Sequence, residues 1–316
     1  MIASSWPAAK VATDMWLLLA LCGPVCWAVS THIDKYLVDR YFRDSDTAVL
    51  MLFTALLGVV LLPLIWWIEP AILKPSREAI AVMTASGVLY MGAILFYLRA
   101  IQSEEASVVA PLFQASTLFT FLLGYLFLHE KLGLSQLLGV GLIVGGALSL
   151  SLRTGGNARK FKGSLVVLML GATFVLALAS VAFKYFAIRD DFWTTTFWTF
   201  VGEGIFGAIL LLVPGYRRQF AELFRQNPGA VLGVNAANEL INLGGGLSVR
   251  YASLLAPVAV VSAISSTTTL FVFIFGILLT LFLPKLGRED LSAGNLVRKA
   301  LGALLITGGV VLIEMH

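Results

Sequence analysis

The stretch Phe96–Leu152, FYLRAIQSEEASVVAPLFQASTLFTFLLGYLFLHEKLGLSQLLGVGLIVGGALSLSL, decides the fold. It contains two apolar segments, near Val108–Leu128 and Gln136–Leu152, which are joined by a short turn at His129-Glu130-Lys131. Each segment is close to the roughly 20 residues that an α-helix needs to cross a bilayer. Because so short a turn makes consecutive helices antiparallel neighbours, the stretch predicts a hairpin of two membrane helices.

The composition of the whole chain agrees with a membrane environment. Of its 316 residues, 59% are hydrophobic and only 13% are charged. A soluble domain needs a largely polar outside and cannot hide so much apolar surface, so the composition predicts an integral membrane protein. The net charge of +4 comes mainly from loop lysines and arginines, which suit an anionic membrane surface. No soluble basic module is present, and nucleic acid is not an expected partner.

Ten membrane-spanning helices account for the apolar segments, which predicts an all-α, multi-pass protein. The predicted spans are Met15–Leu37, Thr47–Trp67, Ile80–Ala100, Val108–Leu128, Gln136–Leu152, Ser164–Ile188, Phe192–Val213, Gly229–Tyr251, Ala256–Leu283 and Leu296–Ile313. The longest connections are Arg153–Lys162 and Pro214–Pro228, and no soluble domain is left over.

The chain repeats itself. Dipeptides of the first half recur in the second: Lys35-Tyr36 as Lys184-Tyr185, Ala110-Pro111 as Ala256-Pro257, and Gly145-Gly146 as Gly308-Gly309. The predicted organisation is a five-helix repeat at 15–152, a loop at 153–163 and a second repeat at 164–313. Because five is an odd number of spans, the two repeats must have opposite orientations in the membrane. Inverted repeats are typical of transporters, whose substrate site lies between the halves near the midplane.

Three short motifs in the first half resemble the EamA-like repeat of the drug/metabolite transporter superfamily. They are Ala106-Ser107 near a helix start, Ala110-Pro111-Leu112 one turn later, and Glu130-Lys131-Leu132 before a glycine-rich helix. The resemblance implies ten helices around a central cavity lined by spans one, three, four, six, eight and nine. It also implies alternating access, driven by protons or exchange, on small polar metabolites such as amino acids or amines. In the second half, Pro284-Lys285-Leu286 stands where Glu130-Lys131-Leu132 stands in the first.

Membrane orientation is predicted differently by two criteria. More loop lysines and arginines lie on the side away from the termini, which by the positive-inside rule puts both termini outside. The family resemblance implies cytoplasmic termini instead. The expected location is the cell membrane, that is, an inner or plasma membrane, and the orientation stays open.

The strongest candidate site is a polar stripe on the predicted span eight. Asn235, Asn238, Glu239 and Asn242 follow the i, i+3, i+4, i+7 spacing of one helix face. The stripe either lines a substrate cavity or makes hydrogen bonds between helices that hold the bundle together. Since one such contact needs fewer amides, we expect these four residues to bind the substrate. Glu239 is also a candidate for proton coupling.

Two further groups of polar residues lie within predicted spans. Glu203, near the middle of span seven, is either a second proton-coupling residue or the partner of a lysine from another span. Lys35 and Lys184 occupy equivalent positions in the two repeats, and they either line the cavity or extend to the nearest interface. His32 and Asp34 lie beside Lys35 but are expected to point to other faces.

The remaining candidates for substrate binding are Gln114 on span four and Tyr90 and Tyr97 on span three. The two tyrosines are two helical turns apart and can stack on a substrate, although packing in the bundle is the common role of such residues. Gly141 and Gly145 have the GxxxG spacing and are expected to pack span five against a neighbour.

No P-loop, HExxH or GxSxG motif is present, and the three histidines are far apart in sequence. No cofactor or metal is therefore expected, and the expected partners are a small-molecule substrate and the lipid bilayer, for a monomer or a homodimer. The sequence favours a secondary transporter over an enzyme. Two alternatives stay open: a membrane enzyme acting on a lipid-linked substrate with His32, Asp34 and Lys35, and a membrane scaffold that does not transport.

Overall fold

The computed structural model describes residues 6–41, 46–103, 106–151, 163–226, 228–282 and 293–314, and the regular structure in these ranges is helical. The helices are α1 (Trp6–Arg40), α2 (Thr47–Ile68), α3 (Arg77–Ser103), α4 (Ala106–Leu128), α5 (Leu134–Ser151), α6 (Gly163–Arg189), α7 (Phe192–Leu211), α8 (Pro214–Gln226), α9 (Ala236–Leu255), α10 (Val258–Ser265), α11 (Thr268–Phe282) and α12 (Ala293–Glu314). A π-helical segment, Ala230–Asn235, precedes α9. The all-α prediction is confirmed, and the predicted loop 153–163 lies almost wholly outside the described residues.

Six apolar segments in the described ranges are long enough to cross a membrane. They are Met15–Leu37, Thr47–Ile68, Arg77–Ala100, Val166–Arg189, Phe192–Leu211 and Val258–Phe282, and shorter apolar helices cover Ala115–Leu128, Leu134–Ser149 and Ala300–Ile313. Their outward faces carry exposed large apolar side chains such as Leu18, Val60, Trp67 and Phe282. Such a surface is stable against lipid and not against water, so the protein is an integral, multi-pass membrane protein. The full count of ten spans stays a prediction.

The most extensive helix contacts join the first half of the chain to the second. Helix α5 packs on α12, α1 on α9, α4 on α6, and α3 on both α6 and α7, while α2 packs on α7. Each pair takes one helix from each half. The core therefore lies between the halves, and neither half has an independent core of comparable extent.

Glycines bring α5 and α12 into close contact, but they are not the glycines that the sequence suggested. A Cβ on Gly146 would lie 2.7 Å from the Gly302 carbonyl oxygen, and one on Gly139 would lie 2.7 Å from the Gly309 oxygen. Gly141 and Gly145 have open space around them. The prediction that these two pack against a neighbour is wrong, because α5 turns the opposite face towards α12.

The adjacent residues Gly145 and Gly146 give a direct test of this packing. Gly146→Ala is expected to destabilise the protein by about 1–3 kcal/mol, since the added methyl group must push the helices apart. Gly145→Ala places the same methyl group in open space and should not lower stability. The midpoint of thermal unfolding in one detergent measures both, and equal midpoints for the two variants would contradict the packing described here.

Two predicted spans are interrupted, and each interruption has a local cause. Predicted span nine divides into α10 and α11 at Ser266 and Thr267, where the amide groups switch to i→i−3 hydrogen bonds with Ala263 and Ile264. The neighbouring Thr268 hydroxyl bonds to the Ser265 carbonyl at 2.7 Å, and such hydroxyl bonds compete with the helical ladder. Predicted span eight begins as the π-helical segment and becomes α-helical at Ala236.

The segment predicted as the long connection Pro214–Pro228 is mostly helix α8. The sequence signal for α8 is an alternation of aromatic or aliphatic residues with arginines, at helical spacing. Hydropathy does not detect it, because the helix is too polar and too short to span a bilayer.

Candidate functional site

The polar stripe of span eight begins in the π-helical segment and continues into the first two turns of α9. Asn235, Asn238 and Glu239 are buried, and Asn242 is half-buried. A π-helical turn adds a residue to the repeat and rotates the side chains that follow, and such segments are frequent at functional sites. Directly after this segment, Asn238 and Glu239 of α9 face α1 and α2.

Helix α1 contributes an acidic residue to this stripe. The Asn238 side-chain amide (Nδ2) donates to Asp34 Oδ1 at 2.6 Å, and the Ser30 hydroxyl lies 3.4 Å from Asp34 Oδ2. The helices approach closely because Gly23 and Gly245 face each other where they cross. Asn238 is 1% exposed, whereas Asp34 itself is exposed. The Asn238 side of this contact is therefore buried in the bundle, while the Asp34 side lies at its accessible surface.

Glu239 lies next to Asp34, with Thr54 of α2 and Asn242 of α9 as its other polar neighbours. Its Oε2 atom is buried without a hydrogen-bond partner, and the same is true of the Asn238 amide oxygen Oδ1. We call Asp34, Thr54, Asn238, Glu239 and Asn242 the acidic site. It contains the carboxylates of Asp34 and Glu239. Two of its buried oxygen atoms, Glu239 Oε2 and Asn238 Oδ1, accept no hydrogen bond from the described residues.

The acidic site is short of positive charge. Neither Asp34 nor Glu239 forms an ion pair with another residue of the part of the chain that the structure describes. A buried acceptor without a donor costs roughly 1–3 kcal/mol, and more when it is charged. The arrangement is therefore suited to a ligand that brings N–H donors or a positive charge.

The second mid-membrane acid, Glu203, has a basic partner. Arg250 Nη2 of α9 lies 3.0 Å from Glu203 Oε1, and Glu203 is 3% exposed. The Arg250 guanidinium lies 5.3–5.8 Å from the ring centres of Tyr90, Phe183 and Phe200. The sequence left open a pairing of Glu203 with a lysine, and the partner in the structure is an arginine instead. Tyr90 belongs to this group.

Lys184 also forms a buried ion pair. Its ammonium lies 2.5 Å from Glu130 Oε1 and donates to the Ala256 carbonyl at 2.6 Å, and it is 5% exposed. Glu130 Oε2 accepts from the Val258 amide, which is at the N-terminus of α10. Lys184 and Glu130 thus join α6, the α4–α5 turn and the junction between α9 and α10.

The other predicted site residues are distributed over the bundle. Lys35 is exposed, and Tyr97 stacks on Phe113 with ring centres 4.2 Å apart. The Gln114 side chain lies outside the described residues. The structure therefore gathers the α9 stripe into one site and leaves the lysines and tyrosines elsewhere. That the α9 stripe, Gln114, Tyr90, Tyr97, Lys35 and Lys184 bind the substrate, and that Glu239 or Glu203 couples protons, stays a prediction.

Four residues of these polar groups, Asp34, Thr54, Glu130 and Arg250, were not among the predicted site residues. Asp34 was expected to point to another face, Glu130 was assigned to the turn after span four, and Thr54 and Arg250 were not singled out. A signal for Arg250 does exist, because it lies within the predicted span Gly229–Tyr251, where an arginine needs an acidic partner.

Comparison with known proteins supports the resemblance seen in the sequence. Residues 14–152 match the family model described as "EamA-like transporter family". A protein of Sinorhizobium sp named "Uncharacterized transporter in cobO 3'region" is 29% identical over 138 residues, which are 44% of this chain and 95% of that protein. The resemblance to the EamA-like family is therefore confirmed.

The fold has a counterpart among solved structures. One crystal structure matches with a TM-score of 0.65 over 95% of this chain and 96% of its own, at 13% sequence identity. At that identity the likeness concerns the fold alone, and it extends over both halves of the chain.

Proposed function

From the EamA-like family match and the acidic site between the halves, we propose that this protein is a secondary transporter of the drug/metabolite type. It moves a small polar metabolite, an amino acid or an amine, across an inner or plasma membrane by alternating access. The acidic site binds the amino group of the substrate, and Glu239 exchanges a proton with it. The observation that carries the proposal is the pair of carboxylates with two donor-free buried acceptors where α1, α2 and α9 meet.

The pattern of helix contacts supports two inverted five-helix repeats. We take α1 as equivalent to α6, α2 to α7, α3 to α9, α4 to α10 and α11 together, and α5 to α12. Most of the extensive contacts then occur in related pairs, although the contact of α3 with α7 is much larger than that of α9 with α2. The contact of α1 with α9 corresponds to that of α6 with α3, and α4 with α6 corresponds to α11 with α1. The contacts of α2 with α7 and of α5 with α12 each join a helix to its own equivalent in the other half, so each is its own counterpart. A two-fold axis between the halves requires this pattern, and transporters place their substrate near such an axis.

The side chains of the alternative enzyme site, His32 and Asp34, do not face each other in the structure. His32 Nε2 lies 3.0 Å from the Val272 carbonyl oxygen, while Asp34 contacts Asn238 on another helix. The two side chains are thus engaged with different partners and do not form an acid–base pair. The site that the chain does assemble contains carboxylates and amides, which is a set for binding cations.

A ligand screen tests the proposed substrate class. We expect primary amines or zwitterionic amino acids to raise the midpoint of thermal unfolding of the purified protein, because a ligand that binds only the folded state stabilises it. At 100 times its dissociation constant a ligand adds about 2.7 kcal/mol. The matched controls are the corresponding carboxylic acids without an amino group, which should give no shift.

A second arm of the screen separates the alternatives. The protein is reconstituted in vesicles with an outwardly directed proton gradient. The amine that gave the shift should then move across the vesicle membrane, and this transport should stop when the gradient is dissipated. Stabilisation by the acids alone, or by neither class, would contradict the proposed chemistry of the site. Covalent conversion of a lipid-linked compound would favour the enzyme instead.

A further inference from the structure

Helix α8 has an apolar face and a basic face, and its apolar face is already used inside the protein. Phe220 and Phe224 pack on Phe53 of α2, with ring centres 4.9 and 5.7 Å apart. Leu223 is buried in the same cluster with Leu37 of α1. The helix therefore does not need to insert its apolar face into lipid, and its opposite face is free to contact what lies outside the bundle.

Polar contacts hold α8 at one end of the bundle. Arg99 Nη2, near the end of α3, donates to the Tyr216 hydroxyl at 2.6 Å. The Asp46 amide, just before α2, donates to the Gln219 side chain at 3.0 Å. The preceding residues Leu212 and Val213 are exposed, Leu212 by 76%, as expected for side chains that contact acyl chains. Helix α8 thus begins where the apolar outer surface ends, at the level of the lipid headgroups.

The outward face of α8 carries three exposed arginines, Arg217, Arg218 and Arg225. Between these arginines the outward surface of α8 is open, and Ala221, Glu222 and Gln226 lie beside them. The single acid, Glu222, accepts a hydrogen bond from Gln226 at 2.9 Å. The helix has a net charge of +2, from three arginines and one glutamate.

We propose that this face of α8 binds the phosphate groups of anionic phospholipids in the adjacent leaflet. The planar guanidinium group matches the geometry of a phosphate and can donate two hydrogen bonds to it. The exposed Leu212 and Val213 offer an apolar surface next to the arginines, so that one lipid can place its chain and its headgroup on neighbouring parts of the protein. A soluble phosphate would use only the arginines. The combination therefore selects an amphiphile at the bilayer surface.

The test compares bound lipids in two matched triple variants. Full-length protein is reconstituted in vesicles of phosphatidylcholine with a minority of phosphatidylglycerol, extracted gently, and its bound lipids are counted by native mass spectrometry. The first variant is Arg217→Gln, Arg218→Gln and Arg225→Gln. The control, Lys74→Gln, Arg77→Gln and Lys131→Gln, removes as many exposed charges from the other end of the bundle. That end is defined by the Ile72 carbonyl, which accepts from Trp198 near the start of α7, and by Glu130 beside Lys184.

We expect the wild type and the control variant to bind phosphatidylglycerol in preference to phosphatidylcholine. In the α8 variant, the ratio of bound phosphatidylglycerol to bound phosphatidylcholine should be at least about tenfold lower. Each basic residue near an anionic surface contributes about fivefold, and salt reduces the total. Raising the ionic strength should remove the preference of the wild type as well, which tests the proposal without any variant. An equal preference in the two triple variants, or competition by inorganic phosphate at millimolar concentration, would overturn it.

Discussion

Glu239→Gln is expected to reduce transport of an amine about 30-fold or more, while leaving the folded protein at least as stable as the wild type. Removing one partner of a buried charged contact costs roughly 2 kcal/mol or more, and each 1.4 kcal/mol is a factor of ten in affinity. Glutamine keeps the shape of the side chain and removes only the charge. Because Glu239 Oε2 is buried without a donor, the neutral side chain should be easier to bury than the carboxylate.

The opposite directions of these two effects distinguish a binding site from a structural contact. A residue that holds helices together loses stability and activity in parallel when it is changed. A residue whose charge is retained for a ligand loses activity and gains stability. Uptake into vesicles and the midpoint of thermal unfolding, measured on the same preparation, give the two values.

Two further variants serve as comparison and control. Asp34→Asn should weaken transport as well, since its carboxylate belongs to the same site and is the more exposed of the two. Glu78→Gln removes an exposed acid at the start of α3 and should have no effect on transport. Normal uptake and normal proton dependence in Glu239→Gln would show that the acidic site does not bind the substrate.

Part of this site could be predicted from the sequence, and the missing part has a physical explanation. The spacing of Asn238, Glu239 and Asn242 places them on one helix face, because the helical repeat relates neighbours on the same helix. The contact with Asp34 depends on how α1 is rotated relative to α9, and hydropathy carries no information on that angle. The close approach at Gly23 and Gly245, which sets it, becomes recognisable only when both helices are in place.

The same limit explains the errors in the fold. The length of the apolar segments was the basis for predicting which helices cross the membrane, and six segments of the described residues are long and apolar enough to do so. It did not predict which glycines of α5 pack, since Gly145 and Gly146 differ only in the side of the helix on which they lie. It also missed α8, whose stability comes from aromatic contacts with Phe53 and not from its own hydropathy.

Lys184→Met is the second variant with a large expected effect, here on stability. It leaves the Glu130 carboxylate buried without its cation and the Ala256 carbonyl without the ammonium donor. Breaking a buried ion pair from one side costs about 3–5 kcal/mol. For a chain of this size the midpoint of thermal unfolding should fall by roughly 10 °C.

The double variant Glu130→Gln with Lys184→Met should recover much of this loss, because it leaves no unpaired charge and glutamine can still accept from the Val258 amide. A double variant as unstable as Lys184→Met alone would show that the loss arises from packing and not from charge.

Lys35→Met is the natural control, since Lys35 occupies the equivalent position in the other half of the chain. Lys35 is exposed, so its replacement should change stability by no more than about 0.5 kcal/mol. The two halves differ in sequence at the corresponding position, where Pro284 stands in the second half and Glu130 in the first. The inverted repeat would place the two lysines at opposite membrane faces. Lys184 forms a buried ion pair with Glu130, whereas the side chains of Asp34 and Lys35 are exposed. Equal losses of stability in the two lysine variants would contradict this asymmetry between the halves.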